Sequence, residues 1–480
     1  MLLLLTSAAL LISSCLPAPD IGWTPAPIAA TLTPGPEPTP LPTRSRYDPG
    51  DLVDYIAQPG DTLPALAAHF NTKVDEIRTA NPQIPADATT MPPGMPMKIP
   101  IYYLSFWGTP YQIIPDNLFV NGPSASGFDT EAFVANQPGW LKDYTAYAGG
   151  ENRSGAGIVD LVATNFSISP RLLLTLLEYQ TGALSKPNAP ASYYPLGYVD
   201  YNYPALYLQL VWAANMLNNG YYGWRTGELT GFEHPDERLE RPDPWQNAAS
   251  VSIQYYFSRL HSGEEYDLAV GPTGIAQTYR NLFGDPWAAY KPFIPVSLQQ
   301  PALHFPFLDG ETWAFTGGSH TGWGQGEPLA AIDFAPPAVV GGCTITDEWA
   351  IAMADGVVVR SQLGVVVLDL DGDGDELTGW VIFYLHMRTD GRAPVGAVLR
   401  LGDPVGHPSC EGGSATGTHV HIARKYNGEW ISVDGPLAFN LEGWIAYDGE
   451  APYQGTLRRE NRVVTACECS DVNSQVQAGR

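Results

Sequence analysis

Gly417-Thr418-His419-Val420-His421 closes a Gly-rich, strand-forming stretch late in the chain. Two histidines at i and i+2 on a strand face the same side. Two imidazoles on one face can share a metal ion and the water bound to it. Six of the nine histidines lie between His304 and His421, so histidine is concentrated in this part of the sequence. The same region carries an Asp at the end of an apolar run, Ala331-Ile332-Asp333-Phe334. A site built from His and Asp is what a catalytic zinc ion needs.

Working outward, the residues from about 301 to 449 read as short β-rich runs: 350–354, 357–359, 365–370, 380–385, 398–400 and 419–424. Turn residues separate them, which predicts an antiparallel β domain. Gly317-Gly318-Ser319-His320 followed by Ala331-Ile332-Asp333-Phe334, then Tyr384-Leu385-His386-Met387, then Gly417-Thr418-His419-Val420-His421 resemble, in order, the motifs of lysostaphin-type zinc endopeptidases. The intervening Ala354-Asp355-Gly356-Val357-Val358 and Leu401-Gly402-Asp403-Pro404-Val405-Gly406 are similar to that family's strand and turn signals. The resemblance implies zinc held by His320, Asp333 and His421. It gives His386 and His419 the catalytic roles of hydrogen-bonding the zinc-bound water and the scissile carbonyl and relaying protons. A Gly-rich insert, 321–332, separates His320 from Asp333, where the lysostaphin pattern has a short gap. The longer spacing resembles the beta-lytic branch, and loop-closure entropy grows slowly enough with length to allow it. His407 lies outside every motif and reads as structural.

Asp369-Leu370-Asp371-Gly372-Asp373-Gly374-Asp375 sits between two strands, with Trp380 where a calcium loop needs Glu, and reads as an acidic hairpin tip. Apart from Cys15, four cysteines remain, which allow three disulfide connectivities. Cys343 and Cys410 share the metal region and are expected to pair. Cys467 and Cys469 are left either free or joined to each other.

Residues 51–101 read as strand, two short helices, strand. Tyr55-x4-Gly60-Asp61-Thr62-Leu63, then Ala67-x2-Phe70, Ile77-x3-Asn81 and Pro93-Gly94-x2-Met97-x-Ile99-Pro100 resemble a LysM module. That implies a βααβ fold binding N-acetylglucosamine-containing glycans such as peptidoglycan, through the loops holding Gly60, Asp61, Thr62, Asn81, Pro82 and Ile84. Residues 102–300 read as mainly helical. Ser169-Pro170 starts a Leu-rich helix and Gly182 ends it; a second runs from Pro204 to Gly220, a third over 246–261 and a fourth over 274–283. Glu178, near the end of the Leu-rich helix, faintly resembles the general acid of lysozyme-like transglycosylases.

Met1 to Ser14 is an apolar run ending in Ile12-Ser13-Ser14-Cys15. It is too short for an ordinary spanning helix and reads as a secretory signal. It resembles a bacterial lipobox, which implies lipidation at Cys15. The Pro-rich segment 16–50 favours extended polyproline II and, at about 3.1 Å per residue, reaches on the order of 100 Å. Acids outnumber bases 50 to 25, so no basic stripe for nucleic acid is available.

The expectation is therefore a multidomain, extracytoplasmic, membrane-anchored lipoprotein. Its order is signal peptide (1–15), linker (16–50), small α+β LysM module (51–101), mainly α middle domain (102–300), antiparallel β zinc metallopeptidase domain (301–450) and C-terminal tail (451–480). Its partners are peptidoglycan, both glycan strand and stem or cross-bridge peptide, and the membrane through the N-terminal lipid. Two other functions fit parts of the sequence: a non-catalytic wall-binding scaffold or amidase activator, and a transglycosylase acting through the helical domain.

Overall fold

The structure, a computed structural model, describes residues 47–338, 340–469 and 471–479. The segment expected to be a signal peptide, Cys15 and nearly all of the Pro-rich segment lie outside the described residues. Among the described residues no helix is long and apolar enough to cross a membrane.

In the first module, strands Asp51–Ile56 and Pro96–Ile101 pair antiparallel and enclose helices Leu63–His69 and Val74–Ala80. Thr62 caps the first helix by accepting the N–H of Ala65, and Pro64 occupies its first turn. Leu66, Phe70, Ile77, Met97 and Ile99 form the core. Asn81 is buried; its carboxamide donates to the carbonyls of Ile77 and Lys98 and accepts the N–H of Lys98, pinning the second helix to the closing strand.

The middle region is built on helices Gly155–Phe166, Pro170–Thr181, Ala205–Thr226, Ala248–Ser258 and Ile275–Phe283. Gly220, read from sequence as a helix stop, lies inside the long helix. A Cβ there would stand 2.7 Å from Ser252 Cα, so the missing side chain lets helix Ala248–Ser258 approach. The helix continues because Tyr221, Tyr222 and Trp224 all bury, and it ends at Gly227 in the left-handed region. Glu178 closes its own helix end: its carboxylate accepts the N–H groups of Leu184 and Ser185 at 2.7 and 3.2 Å.

The last region is an antiparallel sheet. Edge to edge it runs Val398–Leu399, Gly356–Gln362, Val365–Asp369, Trp380–Leu385, Val420–Tyr426, Leu329–Ala335, Thr312–Thr321 and Gln475–Gln477, with Glu429–Trp430 folded back on Val420–Tyr426. The segment expected to be a tail, 451–480, belongs to this domain. Gly455–Arg459 and Arg462–Thr465 join Asn440–Leu441 and Trp444–Asp448 in a four-stranded meander, and Gln475–Gln477 is the edge strand beside Thr312–Thr321. These strands are short and mostly polar. Their inward residues Leu457, Val464 and Val476 bury only because the large sheet is there to receive them.

Arg225, near the end of the long helix, ties the three parts together. It pairs with Asp116 at 3.3 Å and Glu429 at 3.2 Å, and donates to the carbonyl of Pro59. His69 stacks on Trp224 with ring centroids 3.4 Å apart, and Trp245 Nε1 donates to the carbonyl of Asp54.

Candidate metal centre

Asp333 lies in the middle of three strands. Leu329–Ala335 places it opposite His421 on one side and Gly317 on the other. The neighbouring strand Thr312–Thr321 shifts register three times between Phe315 and Thr321, and this bulging turns His320 in toward Asp333. Glycine is required here. A Cβ on Gly317 would sit 2.5 Å from Asp333 Oδ2, and one on Gly318 would sit 2.2 Å from the carbonyl of Gln454.

His320 Nε2, Asp333 Oδ1 and His421 Nδ1 converge, with separations of 3.2 Å (His320–Asp333), 3.3 Å (His421–Asp333) and 3.0 Å (His320–His421). The far nitrogen of each imidazole faces a backbone carbonyl: His320 Nδ1 that of Gly318 at 2.7 Å, and His421 Nε2 that of Gly322 at 3.3 Å. Donation to those carbonyls leaves a lone pair on each converging nitrogen. Asp333 Oδ1 is buried without a hydrogen-bond donor. Three buried lone pairs aimed at one point call for a cation. The edges of a tetrahedron with ligand distances of about 2.0–2.1 Å measure about 3.3 Å, so the residues fit zinc.

The electrostatics express the same demand. Burial works against the Asp333 carboxylate, yet the imidazoles of His320 and His419 outweigh it and hold its carboxyl well below the usual range. Burial also disfavours a charged His320, but Asp333 beside it carries its pKa upward. Burial draws His421 down.

His386 and His419 stand beside this triangle with ring centroids 4.5 Å apart. His386 follows strand Trp380–Leu385 with a left-handed backbone, φ +65°, a conformation rarely held by a non-glycine residue outside functional or tight-turn positions. Its Nδ1 faces the carbonyl of Glu411 at 2.8 Å. His419 Nδ1 faces the carbonyl of Gly417 at 2.7 Å, while its Nε2 lies 3.7 Å from Asp333 Oδ2. Burial, reinforced by His419 and His421, pulls His386 down to about 3, so it is neutral at ordinary pH.

All of these side chains open into a groove of about 1320 Å³, with Gly322, Trp323, Thr344, Ser414, Thr416 and Tyr453 among its walls. Cys343 and Cys410 form a disulfide, and the cross-link anchors the loop whose Glu411 carbonyl orients His386. Cys467 and Cys469 are joined to each other. Tyr453 stacks on His320 with centroids 4.2 Å apart. Sequence reasoning missed it because it lies in the supposed tail, and no local motif marks it.

His407 packs on Trp349 and faces the carbonyl of Glu348, a structural role. His304 pairs with Glu442 instead of entering the site. The residues expected to bind glycan fare differently. Asp61 is half-buried and accepts from the Tyr55 hydroxyl and the N–H of Gln58; Asn81 and Ile84 are buried. Their side chains brace the module from within. Gly60 lies under Arg225, Thr62 caps a helix, and Pro82 is exposed.

Residues 112–297 match the family described as LasA, N-terminal domain, and residues 55–100 match the LysM domain. Protease LasA of Pseudomonas aeruginosa PAO1 is 30% identical over 359 residues, covering 70% of this chain and 79% of that protein. The chain belongs to the LasA protease family. The beta-lytic metalloendopeptidase of Achromobacter lyticus is 28% identical over 141 residues, 28% of this chain and 35% of that one. The solved M23 metalloprotease pseudoalterin is 23% identical, with a TM-score of 0.30 over 35% of this chain and 96% of its own. As a LasA-family protein the chain is a zinc metalloendopeptidase, with a LysM module ahead of the LasA N-terminal domain.

Proposed function

We propose that this chain is a cell-wall hydrolase that cuts the peptide cross-links of peptidoglycan, with its LysM module holding it to the glycan. The observation that carries the reading is the convergence of His320, Asp333 and His421 beside His386 and His419 in one open groove. His320, Asp333 and His421 would hold zinc, which when bound polarises a carbonyl and lowers the pKa of a water. His386 and His419 each have one ring nitrogen tied to a backbone carbonyl, so the other, Nε2, is the one available to substrate. Neutral His386, whose Nδ1–H donates to the Glu411 carbonyl, presents Nε2 as a hydrogen-bond acceptor without the cost of a buried charge. His419, adjacent to Asp333, is placed to take up a proton and deliver it to the leaving amine. The groove leaves these side chains open to an extended peptide.

The LysM match and the LasA relationship support an extracytoplasmic place of action. Lipid attachment at Cys15 would keep the enzyme at the envelope, with the Pro-rich segment as tether. The scaffold and transglycosylase readings gain no support from the site. All five residues of the endopeptidase constellation come together, and the Glu178 carboxylate is occupied by backbone amides. The test is digestion of purified peptidoglycan with and without a chelator. New free amines that vanish on chelation are expected; new glycan ends dependent on Glu178, or no products, would overturn the proposal.

A further inference from the structure

The insert between His320 and Asp333 is held from another domain. On helix Ala205–Thr226, Asn215 Oδ1 accepts the backbone N–H of Gln325 at 2.8 Å, and Asn219 Oδ1 accepts that of Glu327 at 2.8 Å. Residues four apart share one helical face, so two carboxamides grip two alternate amides of one loop. The loop is shaped for this contact. Gly324 and Gly326 have φ of +87° and +83°. A Cβ on Gly324 would come within 2.4 Å of Asn215 Oδ1, and one on Gly326 within 2.2 Å of Asn219 Oδ1. Asn215 is buried, and Tyr203 adds a contact to the Gln325 side chain.

What the loop carries gives the grip its meaning. The Gly322 carbonyl faces His421 Nε2 and so turns His421 Nδ1 toward His320 and Asp333. Gly322, Trp323 and Gly324 form a wall of the groove. Three glycines within residues 322–326 give this segment a large conformational freedom to lose on ordering. Within the metal domain the loop is closed by the N–H of Gly322 on the carbonyl of Pro328 and by Thr321 on Trp323. The N–H groups of Gln325 and Glu327, at its outer turn, are satisfied by the helix.

We propose that Asn215 and Asn219 are positioning residues for the metal centre: the helical domain splints the insert, fixing His421 through Gly322 and the groove wall through Trp323. This rests on reading His320, Asp333 and His421 as the zinc ligands. It predicts a distance effect, since neither Asn touches the site.

The experiment measures zinc affinity of the full-length protein by competition with a chromophoric chelator, together with KM and melting temperature. Wild type must bind zinc and His421→Ala must not; if wild type binds none, the ligand reading itself falls, and this proposal with it. Given that binding, the double variant Asn215→Leu/Asn219→Leu is expected to bind zinc about tenfold more weakly, the lower end of what loss of an outer-shell contact costs, and to show a raised KM. Asn215→Asp/Asn219→Asp keeps both acceptor oxygens and should restore zinc affinity. Gly326→Ala, which pushes the loop off Asn219 from the other side, should repeat the loss and serves if the Leu variant does not fold. Zinc affinity and KM equal to wild type in folded Leu and Ala variants, with only the melting temperature lowered, would overturn the inference.

Discussion

His421 and Asp333 stand directly opposite each other on adjacent antiparallel strands, with His421 Nδ1 3.3 Å from Asp333 Oδ1. Strand register alone makes this contact, and a slip of one residue would send His421 to the other face. His419, two residues earlier, shares that face but offers its free nitrogen to Asp333 Oδ2 at a longer 3.7 Å.

From this geometry His421→Ala should lose bound zinc and peptide cleavage together. His419→Ala should retain zinc and lose turnover by about 10²- to 10⁴-fold, the usual scale for a general acid or base. Metal analysis of the purified variants alongside a cleavage assay checks both. A His419→Ala protein that comes out metal-free would mean the two histidines' roles are assigned wrongly.

Arg225 neutralises two buried carboxylates, Asp116 and Glu429, from different domains. Arg225→Met should destabilise the fold by about 3–5 kcal/mol, because it strands those charges. Adding Glu429→Gln should recover part of the loss. Thermal or denaturant melts read this out, and a melt unchanged by Arg225→Met would show that the domains do not depend on this hub.

Burial, with the nearby charge of Glu228, raises the Glu327 carboxyl to about 7. An acid raised in the folded state binds more protons there than in the unfolded chain between about 4.5 and 7, so its contribution to stability is present at low pH and is lost as pH rises through 7. Glu327→Gln should therefore gain stability over wild type at pH 8 and show little advantage at pH 4. Urea midpoints at the two pH values test the sign.

The Cys343–Cys410 bridge spans 67 residues of chain. Chain-entropy arguments put such a cross-link at about 4 kcal/mol. Cys343→Ser/Cys410→Ser should lower stability on that order. It should also raise KM, because the loop carrying the Glu411 carbonyl loses its anchor beside His386. Denaturation and steady-state kinetics on the same preparation measure the two effects.

Much of this was legible in the residues themselves. His-x-His on a strand, an Asp closing an apolar run and glycines ahead of His320 encode the five-residue cluster locally, since alternation on a strand fixes which side chains share a face. The LysM pattern and the Leu-rich helix likewise carry their own caps and periodicity. Other features are set by partners distant in sequence. Gly220 reads as a stop until the helix that needs its bare backbone is in place. The hydrogen bonds that Asp61 and Asn81 make within their module are set by the fold. Tyr453 reaches His320 only because short, polar strands beyond residue 450 are gathered onto the large sheet. The sequence alone determined the chemistry of the site, because ligand identity and strand alternation are local. Tertiary structure alone decided how the insert, the groove wall and the three domains are held. Those contacts join Asn215, Asn219 and Arg225 to backbone and side-chain groups about a hundred or more residues away, and chain closure over such separations leaves no mark on the sequence nearby.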